Sequence, residues 1–191
     1  MRNLFICGFV CLLLNTYMQA EIYLSFLGCK DIDKQKVFSE VNKVYSLEIK
    51  ELNSLKDIDF AHNPKRNQYL ADRILSALEN FLPNSNCVLV LVVDKDLYTE
   101  GFNYIFGLAG KNVSVVSIYR FKPCTVVDTQ KEQNLLTERT IKTIIHEIGH
   151  CFGLSHCLNP KCVMYFSNWV GDTDKKGKDF CTKCKNKILK K

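Results

Sequence analysis

Three of the four histidines in this chain fall within one short stretch, His146-Glu147-Ile148-Gly149-His150-Cys151-Phe152-Gly153-Leu154-Ser155-His156. If residues 134–151 form a helix, His146 and His150 stand one turn apart on a single face. Two imidazoles so placed can share a zinc ion, and Glu147 stands beside them to take a proton from a bound water. Gly153 matters for a geometric reason. The chain must leave the helix and turn back sharply for His156 to reach the same metal, and glycine tolerates the left-handed backbone that such a turn requires. Three neutral protein ligands leave a fourth position open to water, the arrangement of a catalytic rather than a structural zinc. An amphipathic helix whose histidines merely cap or pack would leave the spacing of all three unexplained.

The cysteines downstream add a second constellation. Cys157 follows the third histidine directly, and Cys162, Cys181 and Cys184 complete two pairs. Their spacing suits a tetrahedral thiolate zinc site with no open position, although two disulfides or free thiols would use the same residues. Met164, in Cys-Val-Met, can form a hydrophobic floor beneath the catalytic metal or serve as an ordinary core methionine.

With these residues in place the sequence resembles the archaemetzincins, small metzincin-type zinc peptidases. Their pattern is H-E-x-x-H-x-x-G-x-x-x-C-x4-C-x-M followed, after a spacer, by C-x-x-C, and every fixed position is present from His146 to Cys184. Asn63-Pro64-Lys65-Arg66-Asn67-Gln68-Tyr69, Asp96-Leu97-Tyr98, Gly101-Phe102-Asn103 and Phe166-Ser167-Asn168 also look like the family, so the resemblance spans residues 21–184. It implies a catalytic zinc on His146, His150 and His156, with Glu147 as general base and Met164 as the Met-turn. It also implies a second, structural zinc on Cys157, Cys162, Cys181 and Cys184, hence two Zn2+ per chain. The implied architecture is a metzincin-like α/β sandwich. It has a mixed, mostly parallel sheet with an antiparallel edge strand, the active-site helix below, and a small zinc-stabilised C-terminal subdomain.

Patterning locates the elements that must hold these residues. Residues 21–27 alternate as a strand, and residues 32–45 suit an amphipathic helix capped by Asp31. Residues 46–51 alternate again through Leu47 and Ile49, and residues 66–81 carry Tyr69, Leu70, Ile74, Leu75, Leu78 and Phe81 at helical spacing. The run 87–93 is continuously apolar, as expected of a strand buried on both faces. Residues 104–109 and 113–118 read as a hairpin at one sheet edge, turning at Gly110-Lys111-Asn112, and residues 121–133 as a loop before the metal-binding helix. Two helices are expected on the sheet, with the active-site helix beneath. At 191 residues, without repeats or a Pro/Gly/Ser-rich linker, the chain reads as one catalytic domain over 21–191. Residues 21–153 form its upper part with the active-site helix, and 154–191 its lower part with the Met-turn and the four cysteines.

Residues 1–20 look like a signal peptide: Arg2, an apolar run over 4–14 too short to span a membrane, and a polar, small-ended tail. The chain is exported (periplasmic or extracellular) if that segment is used, and cytoplasmic if Met18 is the true start. The net charge of +6 gathers at the end, in Lys175, Lys176, Lys178, Lys183, Lys185, Lys187, Lys190 and Lys191. Without arginine forks or an interleaved aromatic row, those lysines read as a solvated face, and no nucleic acid is expected as a partner. His62, outside the motif, is assigned a solvent-exposed role. Nothing calls for an oligomer, so a monomer is expected.

The function that follows is a zinc metalloprotease hydrolysing peptide or protein substrates. Zinc lowers the pKa of its water from 15.7 to about 7, and Glu147 takes the proton and passes it to the leaving amine. Extended substrate would add to a rim over residues 101–109, and Phe166, Ser167, Asn168 and Trp169 would wall the pocket for the first side chain past the cut. Cleavage within the chain and from its amino end, as an aminopeptidase, are both open. Two other readings compete: a catalytically weak zinc protein of the same fold that grips peptides, and a basic four-cysteine zinc module binding nucleic acid.

Overall fold

The computed structural model describes residues 21–122 and 129–188. The signal-like segment 1–20, part of the loop before the metal-binding helix (123–128) and the last three residues lie outside the described residues.

The chain opens with β1 (Glu21–Leu27), α1 (Lys34–Tyr45) and β2 (Ile49–Glu51). Two short strands follow, β3 (His62–Asn63) and β4 (Gln68–Leu70), and then α2 (Ala71–Leu78). Next come β5 (Cys87–Val93), β6 (Leu97–Tyr98), β7 (Gly107–Ala109) and β8 (Val113–Ser117). The long helix α3 (Gln130–Cys151) precedes two short ones, α4 (Val170–Lys175) and α5 (Thr182–Ile188). The main sheet runs β2-β1-β5-β8-β7. All its pairings are parallel except β7–β8, which is the expected antiparallel edge.

Every residue of β5 is buried, because helices cover both faces of the sheet. On one face Ile22, Leu24, Val88, Val90, Val92 and Val116 pack against Val37 and Val41 of α1 and Ile141, Ile144, Ile145 and Ile148 of α3. On the other, Leu89, Leu91, Val93, Val113 and Val115 meet Ala71, Ile74 and Leu78 of α2. Thus α1 shares its face with α3 instead of standing with α2. The Tyr45 hydroxyl donates to Ile145 O at 2.7 Å, and Asp33 N to Thr137 Oγ1 at 3.0 Å, so α1 is also bolted to α3 by polar contacts.

Four other expectations are corrected. The cap of α1 is Asp33, whose side chain accepts from Lys36 N, and not Asp31. Residues 68–70 of the expected helix 66–81 are instead the middle strand of a second sheet, β3-β4-β6. The loop ends earlier than its polarity suggests, because Thr129 and Glu132 form a capping box that starts α3 at Gln130. His62 is half-buried, its ring 4.9 Å from that of Tyr69.

The C-terminal segment is tied back by charge. Lys178 reaches Glu40 at 2.6 Å and Glu138 at 3.5 Å, bridging α1 and α3. The ammonium groups of Lys178 and then Lys43 hold the Glu40 carboxyl at about 2, below its ordinary 4.5. A carboxyl depressed in this way stabilises the fold fully above its unfolded value and loses that contribution as pH falls through the folded one. Because the pair is largely solvated, it contributes at most about 1 kcal/mol. Glu40→Gln should therefore lower the melting temperature near neutral pH. The gap from wild type should close as pH drops from about 5 to about 2. A gap independent of pH over that range would show that Glu40 acts by packing instead.

Candidate metal centre

The last turn of α3 delivers His146 and His150 to one face, as their spacing requires, while Gly153 takes the left-handed backbone (φ 77°) that ends the helix. Gly153 N donates to His150 O at 2.8 Å and Leu154 N to Gly149 O at 2.9 Å, closing the turn that carries His156 back. The three rings gather with centroids 4.6, 5.3 and 4.8 Å apart.

Their protonation is fixed by backbone. His146 Nδ1 lies 2.8 Å from Val163 O and His150 Nδ1 lies 2.7 Å from Leu154 O. A carbonyl oxygen only accepts, so each Nδ1 carries the proton and each Nε2 is left with a bare lone pair. The two Nε2 atoms face one another at 3.1 Å with no proton to share. Two ligands on a tetrahedral zinc, each about 2.0–2.1 Å from the metal, stand about 3.3 Å apart. The orphaned pair therefore fits a zinc ion closely. Burial, with Lys176 and His150 adding to it, holds His146 well below the usual imidazole range. Burial also lowers His150 and His156, which favours the neutral imidazole that can ligate.

Glu147 is 5% exposed and lines the same groove as the three rings. Burial pushes its carboxyl up to about 8 against the opposing charge of Lys176. Gly107 of β7 makes room for it: a Cβ there would stand 2.5 Å from Glu147 Oε1. Gly149 does the same for Met164, whose sulfur would lie 2.5 Å from a Cβ at that position. Met164, fully buried, thus packs directly on the metal-binding helix.

The cysteines form a separate cluster. The sulfurs of Cys157, Cys162, Cys181 and Cys184 all lie within 4.8 Å of one another, and none is in a disulfide. Cys157 and Cys181 are 3.8 Å apart. That is the edge of a tetrahedron with Zn–S bonds of about 2.3 Å. Cys181 N donates to Cys162 Sγ at 3.3 Å, and the backbone N–H of Cys184 draws the Cys181 thiol down to about 7, toward the thiolate a metal needs.

The groove over the histidines has a volume of about 370 Å³ and is bordered on one side by residues 104–110 and on the other by Phe166, Ser167 and Asn168. Trp169 does not line it: the indole lies over Gly171, with Lys175 Nζ 5.6 Å from its centroid. Two features escape the sequence reading. Lys176, grouped there with the solvated lysines, is 4% exposed and lines the groove. Arg66 donates to Phe102 O and Asn103 O, and Gln68 Nε2 also reaches Asn103 O, so the stretch around Asn63–Tyr69 braces the groove rim. The family-like look of that stretch is the only signal for such a role.

A mostly parallel α/β fold whose long helix carries a buried glutamate between paired histidines defines the class, a metal-dependent hydrolase. The comparisons with known proteins make it particular. Residues 34–190 match the model of peptidase family M54. The archaemetzincin of Pyrococcus horikoshii is 43% identical over 151 residues, covering 76% of this chain and 80% of that one. The crystal structure of the archaemetzincin of Methanopyrus kandleri superposes with a TM-score of 0.78 at 26% identity, covering 93% of this chain and 98% of that one. A zinc-dependent peptidase from Methanocorpusculum labreanum gives 0.78 at 27%, covering 87% and 99%. The chain belongs to peptidase family M54, the archaemetzincins, and is a zinc metallopeptidase.

The close approach at Gly107 gives a direct test of the groove. Gly107→Ala forces the Glu147 carboxylate aside, and displacement on the scale of 1 Å costs about 10²-fold in rate. Peptide cleavage should fall by about that factor while metal content, read by atomic absorption, is unchanged. Wild-type cleavage rates in this variant would show that the carboxylate position is immaterial.

Proposed function

We propose that His146, His150 and His156 hold the catalytic zinc, that Glu147 is the general base, and that Cys157, Cys162, Cys181 and Cys184 hold a second, structural zinc. The observation that carries this reading is the pair of bare Nε2 lone pairs held 3.1 Å apart by backbone acceptors behind each ring. A cation is what relieves their repulsion, and the carbonyls behind them are the outer partners that orient ligating histidines.

A zinc ion held by these residues would supply a Lewis acid able to polarise the scissile carbonyl and acidify water. Glu147 would take the proton of the attacking water and give it to the departing amine. Its elevated value suits a group that must be base and then acid near neutrality. Substrate backbone would add along β7, the end strand of the main sheet, which orients the chain without reading side chains. Phe166, Ser167 and Asn168 face that strand across the groove. Met164 acts as the Met-turn, packing under the histidines against Gly149. The chain works as a monomer with one catalytic unit, residues 21–153 giving the upper wall and 154–191 the lower, in a metzincin-like sandwich.

Two of the tail's basic residues are committed elsewhere, which disfavours the nucleic-acid reading: Lys176 is buried and Lys178 is paired with Glu40. Among the described residues no helix is long and apolar enough to cross a membrane.

Metal analysis should find two zinc ions per chain. Glu147→Ala should retain both and lose peptide cleavage by about 10²–10⁴-fold. A Glu147→Ala enzyme with wild-type turnover sinks the assignment. Cys181→Ser should lose one zinc and melt earlier, since a structural zinc contributes folding free energy on the order of 10 kcal/mol. An unchanged melt and an unchanged metal count would remove the second site.

A further inference from the structure

Lys176 is the most anomalous side chain in the described protein. It follows α4, turns inward, and places its ammonium beneath the metal-binding helix with 4% exposure. An ammonium has three donors. One goes to Tyr165 O at 3.2 Å. Among the described residues the only other polar neighbour within hydrogen-bond range is His146 Nδ1 at 3.4 Å, and that nitrogen is itself a donor, committed to Val163 O. Lys176 has no carboxylate within ion-pair distance among the described residues, where other lysines find theirs at 2.5–3.0 Å. A buried cation left so poorly partnered is costly unless something anionic arrives.

The lining of the groove holds two further orphans. Thr173 Oγ1 and Ser167 Oγ are buried without any hydrogen-bond partner, and both residues line the groove with Lys176. Thr173 is 1% exposed. Behind them Lys142 donates to Thr173 O and Asp174 O at 3.0 Å, adding a second positive charge to the same wall. Unspent donors on an ammonium and two hydroxyls match the several acceptor positions of one carboxylate. Asp172 and Glu147 are the carboxylates whose charges face Lys176. Asp172 Oδ2 already accepts from Asn168 N, and Glu147 is the base of the proposed reaction.

The position of this cluster tells which substrate residue it meets. Lys176 Nζ lies 3.4 Å from His146 Nδ1, and Glu147 is the foremost opposing charge it feels. The general base passes its proton to the leaving amine, so the Glu147 side of the metal is the side of the residue that follows the cut bond. We infer that Lys176, Thr173 and Ser167 form a carboxylate-recognising subsite that selects an aspartate or glutamate side chain immediately after the scissile bond. This rests on the proposed peptidase reading and supplies what that reading lacks, a substrate class.

The test uses the zinc-loaded full chain and amidated peptides that differ only in the residue after the cut: Glu, Asp, Gln or Leu. Wild type should favour Glu over Gln by at least about tenfold in kcat/KM, the scale of a hydrogen bond to a charged group. Lys176→Met, which keeps the aliphatic stem, should bring that ratio to near one. Thr173→Val, which keeps the shape and removes only a hydroxyl, should lower it severalfold and decides the matter if Lys176→Met does not fold. A second readout needs no turnover: two peptide hydroxamates carrying Glu or Gln at the same position, compared by calorimetry, should differ in affinity by the same factor. Equal cleavage of Glu and Gln peptides by wild type, or a ratio that survives both variants, overturns the inference. If both hydroxamates bind equally, the metal centre stands and only the subsite fails. If neither binds, the metal-centre reading fails and takes the subsite with it.

Discussion

Two hydrogen bonds hold the histidine cluster in its geometry, from the imidazole Nδ1 atoms of His146 and His150 to the carbonyls of Val163 and Leu154. They fix which nitrogen of each ring is bare and aim both bare nitrogens at one point. They also join parts of the chain that the sheet alone would not align. Leu154 belongs to the turn that ends α3, but Val163 lies between Cys162 and Met164, in a segment without helix or strand. That segment is positioned by Val163 N to Asp179 O and Cys157 N to Met164 O, both 2.9 Å, and by the four sulfurs around it. On the proposed reading the structural zinc therefore bears on the catalytic one mechanically: loosening the cysteine cluster releases the carbonyl that orients His146.

Clearance is the second constraint. A parallel sheet packed on a long helix leaves little room between β7 and α3, yet a carboxylate must enter there. Gly107 and Gly149 provide the space, one for Glu147 and one for Met164. Neither glycine has a positive φ, so their role is close approach and not backbone freedom. The same two positions explain how a buried acid and a buried thioether can both touch the helix turn that carries the histidines.

The parts of the fold legible in the sequence are those where burial writes a pattern. The run 87–93 is readable as a central strand because nothing polar interrupts it, and the hairpin at Gly110 because alternation flanks a turn. The histidine and cysteine spacings are legible because metal geometry permits few alternatives. What is not legible has physical causes. Strands β3, β4 and β6 hold two or three residues each, too few to show a period, and Tyr69 and Leu70 happen to fall in phase with the helix that follows them. The face chosen by α1 depends on tertiary contacts to α3, which its own amphipathicity cannot specify. Lys176 is hidden among lysines because a charge run does not reveal which member turns inward, and nothing local marks it.

The small second sheet ties residues distant from the histidines to the rim of the groove. Gln68 Nε2 is shared between Asp96 Oδ2 and Asn103 O, and Asp96 in turn takes a bidentate pair from Arg120 at 2.7 Å. Arg120 stacks on Tyr104 at 4.0 Å, and the Tyr104 hydroxyl donates across the groove to Asn168 O at 2.9 Å. One connected network thus runs from β4 through the rim to the opposite wall, fixing the groove's width. On the proposed reading a peptide laid along β7 would be aligned by backbone bonds of fixed length, and a rim free to drift would carry the scissile carbonyl away from the histidines. The bracing around Arg66 and Gln68 and the histidine cluster are for that reason parts of one site, although some eighty residues separate them.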